Sequence, residues 1–147
     1  MPDHARKQIR DAVATALTGL ATTGSNVETT RAWPHEAASL PAWHIRTDSE
    51  AANPEMESQD AVYRELALRT VGIARGSDDT LEDTLDTMAA EAEAALGGST
   101  LGGLALSVRL INTEFDSSRE GDKPIGTIDM EWLVEYRTAA SDPTAIV

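Results

Sequence analysis

The chain predicts an α+β fold: a mixed or antiparallel sheet of about five strands with two helices on one face, in the order α-β-β-β-α-β-β. Three observations carry this. Apolar residues recur at helical spacing in two stretches, Ile9–Leu20 and Leu81–Leu96. They alternate, or run unbroken, in several shorter stretches bounded by glycine and polar clusters. At 147 residues and 41% apolar content, the chain can bury about 70% of its unfolded surface in one core.

The first helix is predicted from about Asp3 to Thr18, where Ile9, Val13, Ala16, Leu17 and Leu20 form one stripe. Asp3 is the expected cap, and Gly19 supplies the left-handed residue that ends the helix. Arg6, Lys7 and Arg10 lie on the other side. Cations in a first turn oppose the helix dipole, which suggests a contact that needs them. A solvated face with Asp3–Lys7 and Lys7–Asp11 pairs is the simpler account of them.

Two short strands are expected at Asn26–Arg31 and Pro41–Thr47, joined through the proline-bearing Ala32–Ser39 connection. Asp48–Asp60 holds acids, a proline and no apolar period, and reads as a long polar loop. Val62–Ala74 is the long strand, apolar on both faces as an interior strand should be. Gly76 to Asp79 breaks it. Thr80 and Asp83 then make an approximate capping box for the second helix, whose buried stripe is Leu81, Leu85, Met88, Ala92 and Leu96, and Gly97-Gly98 ends it.

Leu104–Phe115 and Ile125–Arg137 read as an antiparallel pair joined by a loop from Asp116 to Pro124. In the last strand Ile128, Met130, Trp132, Val134 and Tyr136 take one face, and Thr127, Asp129, Glu131, Glu135 and Arg137 the other, with Leu133 the exception. Residues 1–138 are thus expected to form one domain, and 139–147 a flexible tail.

Composition narrows function. Twelve basic against twenty-five acidic residues leave a formal charge of −13, a surface that repels phosphate and argues against sequence-independent binding to nucleic acid or anionic membrane. The absence of cysteine excludes disulfides, thiolate metal sites and a cysteine nucleophile. No stretch approaches the length of a membrane span, and the polar N-terminus lacks the apolar core of a signal peptide, so synthesis and first folding are expected in the cytosol.

Catalytic motifs are wanting. His4, His35 and His44 have no established metal spacing, and neither Ser39 nor Ser49 sits in a nucleophile elbow. The glycine-rich Gly97–Gly103 stretch follows a helix and precedes a strand, the reverse of a phosphate loop. Acids from Asp78 to Asp86 lack calcium-loop spacing. Asp129 and Glu131 suit a solvated face better than acid–base chemistry. Trp132 belongs in the core, whereas Trp33 and Trp43 flank the proline connection and read as either core residues or interface anchors.

The run His4-Ala-Arg-Lys-Gln-Ile-Arg-Asp-Ala-Val-Ala-Thr-Ala-Leu-Thr-Gly-Leu20 resembles the first helix of the tail terminator (tail-completion, head-tail joining) proteins of long-tailed bacteriophages and gene transfer particles. Arg64–Ile73 before the acid-capped Leu81–Leu96 helix fits the same family, as do Leu104–Phe115 and Lys123–Thr138. The resemblance covers nearly the whole chain and rests on element order and texture. It implies a structural virion protein without catalytic activity or cofactor. Such proteins form a homo-hexameric ring that stops polymerisation of the tail tube protein and docks the head connector, at the head-proximal end of the tail, after synthesis in the host cytoplasm. Genome DNA passes through such a ring without specific binding.

On that reading an acidic lumen would favour passage, with Asp129, Glu131 and Glu135 as its expected lining. Expected subunit or partner contacts are Arg6, Lys7, Arg10, Trp33, Trp43, Glu55, Glu57, Arg119 and Lys123, with the Asp48–Asp60 and Asp116–Lys123 loops facing tube and connector. Another tube or connector-completion protein shares this texture. A small acidic cytosolic adaptor is the alternative from a different class, and an enzyme would need a site assembled across subunits.

Overall fold

In the computed structural model, residues 2–29, 40–56, 58–77, 79–120 and 123–147 are described, without the side chains of 118–120 and 123. Helix α1 (Ala5–Leu17) is followed by β1 (Val27–Glu28), β2 (Ala42–Ala52), β3 (Ala61–Arg75), α2 (Leu81–Leu96), β4 (Ser107–Glu120), β5 (Lys123–Ala139) and β6 (Asp142–Ile146). The sheet order is β1-β2-β3-β5-β4, with β6 also on β5. Among the described residues only β1–β2 is parallel. The α+β class and the order of elements are as the sequence predicts, with β6 added.

The core lies between the sheet and its two helices. Ile128, Met130, Trp132, Val134 and Tyr136 of β5 are all almost wholly buried, opposite Gly72, Thr70, Leu68, Leu66 and Arg64 of β3. Onto this face pack Ile9, Val13 and Leu17 of α1 and the expected Leu81, Leu85, Met88, Ala92 and Leu96 of α2. The buried indole N–H of Trp132 donates to Thr70 Oγ1 at 3.0 Å, so its ring enters the core without stranding its polar atom.

Two glycines set the spacing between α2 and the sheet. A Cβ on Gly72 would stand 2.8 Å from Ile128 Cγ2 and 3.0 Å from both Met88 Cε and Trp43 Cζ3. One on Gly126 would stand 2.9 Å from Leu85 Cδ1. Both positions therefore need the missing side chain.

Helix α1 is pinned by charge as well as by packing. Glu50, at the far end of β2, accepts from Arg6 at 3.1 Å, from Arg64 at 3.0 Å and from the Tyr136 hydroxyl. Its side chain is 9% exposed, so each of these bonds replaces lost water. Burial, then the bond to Glu50, pushes the Tyr136 hydroxyl well above the usual tyrosine range. The contact that Arg6 serves is thus within its own chain.

Several local expectations are corrected. The cap of α1 is His4, whose Nδ1 accepts from the Arg6 amide at 3.0 Å, while Asp3 binds Lys7. Thr80 does not cap α2 through its side chain; its hydroxyl is 2.8 Å from that of Ser77. The Asp48–Asp60 loop is half strand, because β2 continues to Ala52 with a bulge between Thr47 and Ser49, before a single 3-10 turn at Pro54–Met56. The loop expected from Asp116 to Pro124 is a continuation of the β4–β5 ladder, down to Glu120 opposite Lys123. Both polar stretches follow the backbone ladder past the end of the core, where no buried face imposes alternation. The expected loose tail contains β6, held through Thr138 opposite Ile146 and by Gln8 Nε2 donating to the Thr144 carbonyl at 3.0 Å. Thr30 and Arg31, the end of the first expected strand, fall outside the described residues.

Gly72→Val should destabilise the protein by about 1–3 kcal/mol, because Ile128 Cγ2 sits on a stiff β-branched side chain and cannot yield cheaply. A urea midpoint equal to that of the parent would show that Ile128 and Trp43 do not crowd Gly72 this closely.

Candidate functional site

The face of the sheet away from the helices carries most of the charged residues of β2, β3, β5 and β4, Glu50 and Arg64 excepted. Alternation fixes which ones. Because Ile128 to Tyr136 fill the core face, Asp129, Glu131, Leu133 and Glu135 take the other, opposite Val71, Arg69, Ala67 and Glu65 of β3. On the far side they face Glu114, Asn112, Arg109 and Ser107 of β4. The three expected lumen acids thus lie together on the uncovered face.

They are not bare carboxylates. Arg69 reaches Asp129 Oδ1 at 3.1 Å, Asp48 Oδ2 at 3.3 Å and Glu131 Oε2 at 3.8 Å. Glu135 accepts from the Tyr63 hydroxyl at 2.6 Å, Arg109 Nη2 at 2.7 Å and Ser107 Oγ at 3.3 Å. The bond from Tyr63 is the main cause holding the Glu135 carboxyl below its usual range, with partial burial opposing and the Arg109 charge assisting. The same bond pushes the Tyr63 phenol up to about 12. Arg46 stands directly across from Arg69. The face therefore mixes ion pairs with like-signed neighbours, since Glu65 also stands opposite Glu135 and Glu114 opposite Asp129.

Arg69, Arg109 and Tyr63 were not among the sequence candidates. Their charges and alternation were visible, but which acids they meet depends on the β3–β5 and β4–β5 registers.

The contact candidates divide. Lys7 is exposed and bonds both Asp3 and Asp11 at 3.0 Å, so its partners belong to its own helix. Such exposed pairs add little stability. Arg10 lies on the same helix, and its Nε is enclosed without a hydrogen-bond partner among the described residues. Trp43 is completely buried against Gly72, which removes it as a surface anchor in this fold. Glu55 is exposed in the 3-10 turn beside Met56, itself 56% exposed. Trp33 and Glu57 lie outside the described residues, as do the side chains of Arg119 and Lys123, whose backbones pair with Pro124 and Glu120.

Little of this is arranged for covalent chemistry. His4 is a helix cap whose imidazole is shifted down by burial and by the nearby Arg6 and Arg64 charges. His44 is buried in β2, and His35 lies outside the described residues. Among the described residues no three His, Asp or Glu side chains converge as a metal site. No described helix is long and apolar enough to cross a membrane.

No protein-family model and no curated protein matches the chain. A solved structure does. A chain from a structure described as the virion of a native gene transfer agent particle is similar with a TM-score of 0.50, over 90% of this chain and 92% of that one. The two are 18% identical, so the likeness is one of fold, and it spans both chains almost end to end.

Glu135→Gln should cost about 1–2 kcal/mol at neutral pH, the scale of a partly screened charge-assisted hydrogen bond. A folded-state value below the unfolded one means the carboxylate's contribution is complete above the ordinary glutamate range. It is lost as pH falls through the lowered folded value. The stability gap between parent and variant should therefore close in acid; a gap that persists unchanged at pH 3 would contradict the Tyr63–Glu135–Arg109 arrangement.

Proposed function

We propose that the protein is a structural virion component: a tail terminator that assembles as a homo-hexameric ring, stops tail tube polymerisation and joins the tail to the head connector. The observation that carries this is the fold likeness to a gene transfer agent virion chain over 90% of this sequence. The family texture of the helices and of the Leu104–Thr138 strand pair supports it from an independent direction. So does the placement of the charged residues, which form an extended ion-paired face rather than a concave site.

The mechanism is geometric. A ring that closes by rotation uses a heterologous interface, in which two different patches of each copy meet. The uncovered face carrying Asp129, Glu131 and Glu135 borders the lumen in this proposal, and the β2–β3 and β4–β5 connections meet tube and connector. Arg69 and Arg109 keep that face cohesive, while the chain's net charge of −13 keeps the phosphate backbone from adhering during passage. The protein needs no cofactor for this role and acts at the head-proximal end of the tail, after synthesis in the host cytoplasm. A tube or connector-completion protein is the second reading, because the gene transfer agent likeness fits any part of such a particle that shares this fold.

Native mass spectrometry and negative-stain imaging, of the protein alone and mixed with tail tube subunits, test the proposal. The expected outcome is a ring of six, either free or formed on tube ends whose growth then stops. Rings that stack and elongate would favour the tube component. A monomer or dimer indifferent to tubes would overturn the virion reading.

A further inference from the structure

The molecule's charges are unevenly compensated. On the uncovered face and at the start of α1, Arg6, Arg64, Arg69, Arg109 and Lys7 are each paired with carboxylates of this chain. The acids of α2 are not: Glu82 and Asp86, one turn apart on the same flank, are exposed and have no cationic partner among the described residues. Two like charges at that spacing repel within a helix.

Beside them opens a groove of about 550 Å³ between α2 and the β4–β5 hairpin. Its floor is Leu81, Leu85 and Pro124, and its wall is Phe115. Glu82 and Asp86 form an acidic rim on the helix side; Asp116, opposite Thr127, has the phase of the uncovered face and accepts from the Ser117 amide at 2.9 Å. Phe115 is the chain's single phenylalanine and is 63% exposed. The reason is its place on β4: it pairs with Ile128 and has the core-side phase, but α2 packs chiefly on β3 and β5 and leaves this end of β4 unroofed. In a chain with 4% aromatic content, an aromatic ring standing in an apolar groove is a conspicuous anchor for binding.

We propose that this groove is a docking site for a segment of another protein in which an apolar side chain is flanked by lysine or arginine. The apolar residue enters between Phe115, Leu81 and Leu85, and the flanking cations meet Glu82 and Asp86. Charge complementarity selects this occupant over a second copy, because most described cations of this chain are already paired within it. The site stands whether or not the protein closes a ring.

The test titrates the isotope-labelled full chain with the peptide Lys-Arg-Leu-Phe-Arg-Lys, and with a twin in which Ser-Ser replaces Leu-Phe, following amide shifts. Shifts should cluster at 81–86, 113–117 and 124–126. Binding should weaken at least tenfold for the twin, for Phe115→Ser and for the Glu82→Gln/Asp86→Gln double variant, and in half-molar salt. These side chains are exposed, so both variants should melt with the parent; if Phe115→Ser does not, the double variant and the twin peptide decide. Shifts scattered over the acidic surface, or equal affinity for the twin, would overturn the proposal. Groove shifts that grow with protein concentration alone would make a second copy the occupant and overturn it as well.

Discussion

The structure depends on β5 being held on both sides while burying one whole face. It pairs with β3 from Ile125 to Ala139 and, on its other edge, with β4 and then β6. A strand in that position has no freedom to slip. A one-residue shift would exchange Ile128, Met130, Trp132, Val134 and Tyr136 with Asp129, Glu131, Leu133, Glu135 and Arg137, burying four charges. From this one register the core, the uncovered face and the site of each ion pair follow. Helix α2 can then settle closely because Gly72 and Gly126 are bare at the points where Met88 and Leu85 approach the sheet.

The same register explains how an acidic chain keeps a cohesive surface. Carboxylates next to one another along a strand face would repel, and here Arg69 is inserted among Asp48, Asp129 and Glu131, and Arg109 beside Glu135. At the opposite face the unit is inverted: the single acid Glu50 is clamped by Arg6 and Arg64, with the Tyr136 hydroxyl as a third donor. The cations are therefore structural. Along α2, Glu82, Asp83, Asp86, Glu91 and Glu93 have no cationic partner among the described residues, a run of charge that attracts a basic partner.

Legibility followed the core. Both helices and the apolar halves of β3, β4 and β5 are plain in the sequence because each buries a face and so must show a period. The polar ends are not, since Ser49 to Ala52 and Ser117 to Glu120 are strand only by virtue of a neighbour's backbone. Strand β6 is hidden for the same reason, its Asp142-Pro-Thr start offering no alternation. For the surface, the sequence shows that Asp129, Glu131 and Glu135 share a face, but not that Arg69 and Tyr63 meet them from a strand more than fifty residues earlier in the chain. The β4–β5 register gives Phe115 the core-side phase, opposite Ile128. Only the limited reach of α2 across the sheet leaves that ring uncovered.

That last mismatch separates two kinds of surface on this molecule. The uncovered face is extended and largely ion-paired within the chain, through Arg69 with Asp48 and Asp129 and through Arg109 with Glu135. The groove is concave, apolar and unpaired in charge, and so can form favourable contacts only with something else. The two properties thus lie on different sides of one sheet. The closed β5 register supplies them at once, because the residues that satisfy one face are fixed by those that bury the other.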